Sequence, residues 1–241
     1  MYTLFAYLRD RLPLRHRLAL STTTIQQCLA QAGAEPWHGY ALQQRMWRRH
    51  VCIATGWLAE MLPKQAAIFE PGCGSGANLL WLAQQGFTQL WGADISPSAL
   101  TLCTLLSQAS QSPITTWQDD CLHPQHIPQQ RFDALLSVNW LYHVPNSSLE
   151  SFLTVYRPWL RPHGLLFCDC IDASYNNVRN NQFHTSDAKL PVAKRRPSEY
   201  VFRLSVAQVN SLAAQQGFAV IRTTKTHSCP QRAIYALQKN D

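Results

Sequence analysis

The chain has 241 residues, 46% of them hydrophobic and 15% charged, with 10 glycines and 14 prolines. That balance excludes a disordered chain and a fibre, and it suffices for one large α/β domain with a short appendage. The net charge of +7 suits an acidic small molecule or a nucleic acid as partner and by itself chooses neither.

Met1 to Leu20 is apolar and basic, and Arg9, Asp10, Arg11, Arg15 and Arg17 interrupt it. A helix is expected there, without the clean hydrophobic block of a signal peptide. No apolar run approaches the ~18 residues that span a bilayer, so a soluble, cytoplasmic protein without a membrane partner is expected. Hydroxyls at Ser21 to Thr24 predict the cap of a short helix over 25–32, stopped at Gly33. Leu42, Met46, Val51, Trp57, Leu58 and Met61 recur at helical spacing and predict one long helix over 38–61. Residues 1–62 are read as a helical cap and 63–241 as the main domain.

From Ala66 the pattern becomes strand, turn, helix. Strands are expected over 66–70, 89–94, 114–118, 132–138 and 165–171, with helices over 77–85, 97–107 and 147–159 between them. Arg161-Pro162-His163-Gly164 reads as a turn. Residues 172–200 are polar and then basic, and the insert 174–200 is read as a lid. Ser205 caps a helix over 206–216, and strands over 218–224 and 232–237 close the chain. This alternation means a doubly wound α/β fold with a mostly parallel sheet of seven strands and helices on both faces. The eight cysteines form no C-x-x-C pair. Free thiols packed as small hydrophobes in a reducing compartment are expected, and no metal site.

The stretch Glu70-Pro71-Gly72-Cys73-Gly74-Ser75-Gly76 joins a strand to a helix N-terminus at the carboxyl edge of the sheet, where ligands bind in open α/β folds. A dinucleotide fingerprint spaces its glycines G-x-G-x-x-G; here the spacing is G-x-G-x-G, with Glu70 just before it. That carboxylate would repel a pyrophosphate and could orient an ammonium. Asp94 ends the second strand, where a carboxylate can accept ribose hydroxyls. Asp119-Asp120-Cys121 follows the third strand, where one acid can accept from an exocyclic adenine amine.

On these motifs, with Gly92-Ala93-Asp94-Ile95-Ser96, Phe132-Asp133-Ala134-Leu135-Leu136-Ser137 and Leu160-Arg161-Pro162-His163-Gly164, the chain resembles the class I (Rossmann-like) S-adenosylmethionine-dependent methyltransferases, most closely over 66–171. The resemblance implies an antiparallel last strand and S-adenosyl-L-methionine as cofactor. It implies that Gly72, Gly74 and Gly76 line the methionine and ribose, that Asp94 holds the ribose, and that Ile95 lies against the adenine. Asp120 is preferred over Asp119 for the adenine amine, with the Cys121 N–H toward the ring. Glu70 is expected to reach the methionine end, or else to fix the glycine loop by accepting backbone N–H groups. Asn139 is expected to support the methionine.

After the fourth strand the chain reads Asn139-Trp140-Leu141-Tyr142-His143, without the two prolines of nucleic-acid amino methyltransferases. It resembles the small-molecule branch instead. His143 is a candidate general base, the alternative being a ring packed and bonded to backbone. Tyr40, Trp47, Trp140 and Tyr175 are candidate acceptor contacts. Basic clusters at Arg45–Arg49 and Lys189–Arg196 read as solvated surface. If the second instead faces the pocket, the acceptor is acidic. An RNA or protein methyltransferase, a non-catalytic cofactor-binding protein and a nicotinamide oxidoreductase remain the rival functions.

Overall fold

In the computed structural model, which describes Leu12 and residues 14–241, seven strands form one sheet. They are β1 (Ala67–Pro71), β2 (Gln89–Asp94), β3 (Ile114–Gln118), β4 (Phe132–Ser137), β5 (Leu160–Ile171), β6 (Phe218–Lys225) and β7 (Arg232–Lys239). Their order is β3-β2-β1-β4-β5-β7-β6, and only β7 runs against the rest. The chain leaves β1 toward β3 and then returns to place β4 on the other side of β1. This reversal opens a crevice at the carboxyl ends of β1 and β4.

Side chains alternate across β1. Ile68 enters the cluster built with Leu79, Leu82, Leu102 and Leu58, while Phe69 enters the opposite one with Phe132, Tyr156, Trp159 and Val209. Both faces of the strand are buried, so it reads as a continuous apolar run, as central parallel strands do. The first face carries α1 (Thr22–Ala32), α3 (Arg49–Met61), α4 (Ala77–Gln84) and α5 (Pro97–Ala109), and the second carries α6 (Leu149–Tyr156) and α7 (Val206–Gln215). Between α1 and α3 lies α2 (Pro36–Gln43). The N-terminal helices share one apolar cluster with the sheet, Leu42, Val51, Ala54 and Leu58 packing with Leu136, Phe167 and Ile234.

Caps explain where several helices begin. The hydroxyls of Ser21, Ser96 and Ser148 accept from the backbone N–H groups of Thr24, Ala99 and Ser151. Ser205 and Gln208 form a reciprocal capping box.

The expected helix within 1–20 falls mostly outside the described residues, and 14–20 contain no helix. The helix expected over 38–61 is broken: α2 ends at Gln43, a 3₁₀ turn spans Arg45–Trp47, and α3 restarts at Arg49. The turn carries the Arg45 side chain into the interior, where its guanidinium donates to Thr55 Oγ1 (2.9 Å) and to Asn78 Oδ1. A continuous helix would be decided by apolar spacing alone, which does not see this polar anchor. The helix expected over 147–159 likewise stops at Tyr156 and passes into a 3₁₀ turn at Arg157–Trp159, where Pro158 lacks the N–H to continue it. The expected turn at 161–164 is an irregularity inside β5, with His163 in the left-handed region (φ 58°) and a register shift against β4. No helix among the described residues is long and apolar enough to cross a membrane.

Candidate active site

Three strand ends and one loop converge at the crevice. Gly72, Gly74 and Gly76 all hold positive φ, at 66°, 52° and 71°. The Asp94 carboxylate ties the loop down, accepting the Gly74 N–H at 2.8 Å and the Ser96 N–H at 2.9 Å. Those two bonds use part of its capacity of about four lone-pair directions, leaving room for the hydroxyls of a ribose.

The Trp140 indole lies directly on Gly72, so that a Cβ there would come within 2.4 Å of it, and a Cβ on Gly76 would come within 2.3 Å of Cys103 Sγ. Gly74 has ordinary van der Waals space, facing His38 and Trp37 from α2, whose rings stack at 3.7 Å. Ser75 is buried and α4 begins directly after Gly76, so the loop delivers a helix N-terminus to the crevice.

Glu70 is buried beneath this loop. Its Oε1 accepts from Asn78 Nδ2 at 2.5 Å, while Oε2 has no hydrogen-bond partner. Burial pushes the Glu70 carboxyl up to about 8, against the Asn78 bond and the charge of Arg45, which both pull it down. Arg45 is itself drawn down to about 10 by burial and stays charged at neutral pH. Arg45, Asn78 and Glu70 therefore form a polar chain from the N-terminal segment into the loop. Glu70 accepts from a side chain here; the hydrogen bonds that fix the loop backbone come from Asp94. An unpartnered buried carboxylate oxygen fits an ammonium donor, the chemistry of an amino-acid end of a ligand.

Ionisation of Glu70 supplies a prediction. Its carboxyl titrates near 8 in the folded chain against 4.5 when unperturbed, so the folded state holds an extra proton between those values. Stability from this group is complete below the lower value and is lost as pH rises through the upper one. A bound ammonium favours the ionised form and should expel the proton. Calorimetry at pH 7 in two buffers of different ionisation enthalpy is expected to show proton release on S-adenosylmethionine binding, and Glu70→Gln should remove it. Wild-type binding without proton release would place the ammonium elsewhere.

At the end of β3, Asp119 is buried and committed, accepting the N–H groups of Gln125 (3.1 Å) and His126 (2.9 Å). Asp120 is more open, bonded to the Leu122 N–H at 2.9 Å and to His123 Nδ1 at 3.1 Å, and those bonds hold its carboxyl below the usual range. Ile95 is exposed, free to lie along a ring. Cys121 is buried, its sulfur accepting the Gly72 N–H at 3.3 Å and so joining the segment after β3 to the glycine loop.

Beyond Trp140 the crevice opens into a cavity of about 1470 Å³. Trp37, Tyr40 and Trp47 from the N-terminal segment line it, together with Asn139 and the exposed His143 from the end of β4. His184 to Ser186 and Glu199 come from the insert, and Thr226 to Pro230 from the β6–β7 connection. Of the aromatic acceptor contacts expected from sequence, Tyr40 and Trp47 line this cavity and two do not. Trp140 faces Gly72 and Phe152, and Tyr175 is buried against Tyr200 and the Arg203 guanidinium. Both are large aromatics near the insert or the strand end, where packing competes with ligand contact.

Arg45–Arg49 is not a solvated face. Arg45 is interior, and Arg48, Arg49 and His50 line the cavity. In the insert, Arg196 is paired with Asp187 at 2.8 Å, and Arg195 donates to the carbonyls of Leu190 and Ala188. Neither lines the cavity.

Asn139 holds a left-handed conformation (φ 57°) at the end of β4. Its N–H donates to Asp169 Oδ1 at 2.7 Å, and its Oδ1 faces His50 Nε2 at 3.0 Å. Burial raises the Asp169 carboxyl to about 7 and lowers His50 well below its usual value. Tyr142 donates to Asp169 Oδ2 at 3.0 Å. His143 Nδ1 lies 3.2 Å from the Glu199 carbonyl. The carbonyl can only accept, so Nδ1 carries the hydrogen and Nε2 keeps a lone pair. Desolvation holds this ring below its usual value, hence neutral at pH 7. The ring is thus both bonded to backbone and part of the cavity wall. Sequence reasoning missed Arg48, His50, Asp169 and Arg232; the Cys168-Asp169-Cys170 strand, an acid amid apolar neighbours, was the one available signal.

Residues 68–164 match the family model described as a methyltransferase domain. Among curated relatives, the chain is 33% identical over 119 residues to the methyltransferase-like protein YqeM of Bacillus subtilis, covering 48% of this chain and 46% of that one. It is 31% identical over 108 residues to a tRNA U34 carboxymethyltransferase of Idiomarina loihiensis, covering 43% and 32%. The chain thus spans about half the length of these relatives or less. Among solved structures, magnesium protoporphyrin IX methyltransferase of Synechocystis with bound S-adenosylhomocysteine is similar over 99% of this chain and 95% of that one, with a TM-score of 0.60 at 14% identity. That likeness is one of fold.

Proposed function

We propose that this chain, whose residues 68–164 match a methyltransferase domain, transfers a methyl group from S-adenosylmethionine to a small-molecule acceptor bound in the cavity beside Asn139 and His143. One observation carries this reading: the glycine loop, closed by Trp140, adjoins a recessed cavity with aromatic and polar walls. Its volume, about 1470 Å³, exceeds the roughly 300–1,000 Å³ of ordinary ligand pockets, so a sizeable acceptor fits.

S-adenosylmethionine supplies an electrophilic methyl carbon on a sulfonium, already a good leaving group. What remains for the chain is to bind, orient and exclude water. The Gly72–Gly76 backbone and Asp94 hold the ribose and methionine portions, Glu70 the ammonium, and Asp120 and Ile95 the adenine. Asn139, locked by Asp169 and His50, fixes the end of β4 between cofactor and acceptor. Trp37, Tyr40 and Trp47, with the insert at 184–186, cover the acceptor. His143 Nε2 is placed to take a proton from an acceptor hydroxyl or amine.

Release of S-adenosylhomocysteine over a panel of small acceptors tests the reading. Binding of the cofactor with no release from any acceptor would favour a non-catalytic binding protein instead. With a turning-over acceptor in hand, His143→Ala is expected to lower kcat by roughly 10²-fold or more, the usual worth of a positioned base, at unchanged cofactor affinity and melting temperature. Unchanged turnover would leave the ring a packing role.

A further inference from the structure

We propose that the acceptor enters this cavity as an anion, its carboxylate or phosphate oxygens taken up by Arg48 and Arg232. The inference rests on the methyltransferase reading only for the word acceptor; the anion site itself stands on the geometry of the wall.

Arg232 opens β7 beside the end of β5, and its guanidinium is mostly buried, with 11% of the side chain exposed. It lies over the Tyr142 and Tyr200 rings, at 4.8 and 5.5 Å, and donates to the Tyr142 hydroxyl. One carboxylate oxygen, Asp169 Oδ2, is 3.9 Å away. That carboxylate already accepts the Asn139 N–H and the Tyr142 hydroxyl, so Arg232 is held at the strand end with donors to spare.

Arg48 reaches the same cavity from the turn that breaks the N-terminal helices; its backbone bonds Arg45 and Cys52, and among the described residues its guanidinium makes no hydrogen bond or ion pair. Burial draws both guanidinium groups below their usual values; Arg48 pulls Arg232 down further, while Asp169 pulls Arg48 back up. Two half-buried cations that repel each other are costly unless something negative joins them.

Asp169, behind the wall beside Arg232, supplies part of that charge, with its oxygens already taken by the Asn139 N–H and the Tyr142 hydroxyl; the cavity lining itself adds little. Its one carboxylate, Glu199, is turned to Thr185, accepting from the backbone N–H at 3.1 Å and from Oγ1 at 2.5 Å. The remaining titratable groups in the wall are Arg49, which donates to the Leu12 carbonyl, Tyr40, Cys229, and the rings of His50, His143, His184 and His227. Two guanidinium forks facing one space match the planar, bidentate oxygens of a carboxylate or phosphate. Burial favours a small molecule: phosphates of a polynucleotide need an exposed basic track, whereas only 11% of the Arg232 side chain is exposed.

The test uses the full chain without cofactor and titrates it with inorganic phosphate, with butyrate, and with neutral butyramide, followed by chemical-shift changes and calorimetry. Phosphate or butyrate is expected to bind where butyramide does not, and the stronger of the two names the anion class. Arg48→Gln should weaken that binding at least tenfold and Arg48→Lys by less, with folding checked by circular dichroism. Arg232→Gln is a second arm if it folds. Equal binding of butyramide and butyrate, or anion binding indifferent to Arg48→Gln, would overturn the proposal. So would tighter binding of a single-stranded RNA oligonucleotide that Arg48→Gln abolishes while small anions stay unbound. Because no cofactor is present, failure of cofactor binding sinks the methyltransferase reading and leaves this titration decisive. Conversely, turnover of a neutral acceptor with KM unaffected by Arg48→Gln sinks the anion site and spares the enzyme.

Discussion

Gly72→Ala is expected to cost at least a hundredfold in S-adenosylmethionine affinity, about 2.7 kcal/mol, and several degrees in melting temperature. Two effects add. A Cβ at φ 66° is strained by about 1–2 kcal/mol, and this one would stand 2.4 Å from the Trp140 indole, which is packed against Phe152 and cannot simply swing away. Gly74→Ala shares the positive φ but has open space, its nearest neighbour being the His38 ring at 3.6 Å. It should therefore lose within about tenfold of affinity, roughly the backbone strain alone. Trp140→Ala should restore part of the loss in Gly72→Ala, since the clash is between those two residues. Calorimetric titrations and thermal unfolding of Gly72→Ala, Gly74→Ala, Trp140→Ala and the Gly72→Ala/Trp140→Ala double variant check this. Equal penalties at Gly72 and Gly74, with no rescue by Trp140→Ala, would mean that the indole does not close the loop.

Asp94→Ala is expected to damage the fold as well as binding. The carboxylate holds the Gly74 and Ser96 N–H groups at 2.8 and 2.9 Å, and hydrogen bonds to charged groups are worth about 1.5–3 kcal/mol. Stability should fall by about 2–4 kcal/mol, which for a chain of this size is a drop of at least about 4 °C in melting temperature. Cofactor affinity should fall further than the loss of a ribose contact alone, because the loop that carries Gly74 is released. Asp94→Asn keeps an acceptor of the same shape without the charge. It should retain most of the stability and lose affinity by roughly tenfold. If Asp94→Ala melts like the wild type, the tether is not structural; if Asp94→Asn binds like the wild type, the charge does not serve the ribose.

The alternation of apolar strands with helices was legible because each element's pattern is local. Ser96, Ser148 and Ser205 announce their helices within three residues, and glycine spacing announces the loop. Order within the sheet follows from right-handed crossovers and from β4 returning beside β1. Boundaries failed where a tertiary contact outweighed local pattern, as at Arg45, whose side chain satisfies Asn78 and Thr55 only in the folded chain. Trp140 and Tyr175 show the converse. An aromatic near a strand end or insert can serve a ligand or a core, and spacing does not distinguish the two.

By itself, then, the sequence determined the layered sheet, the bare glycine loop and the acids at the ends of β1, β2 and β3, because these depend on residue type at short range. Tertiary structure alone decided what surrounds that loop. His50 meets Asn139 across 89 positions of chain, and Arg232 meets Tyr142 across 90. Such pairs carry no periodic trace, since a buried polar group is satisfied by whichever partner folding brings near. Charge composition likewise could count the arginines, but only burial separated those that pair with their own loop from those that face the cavity.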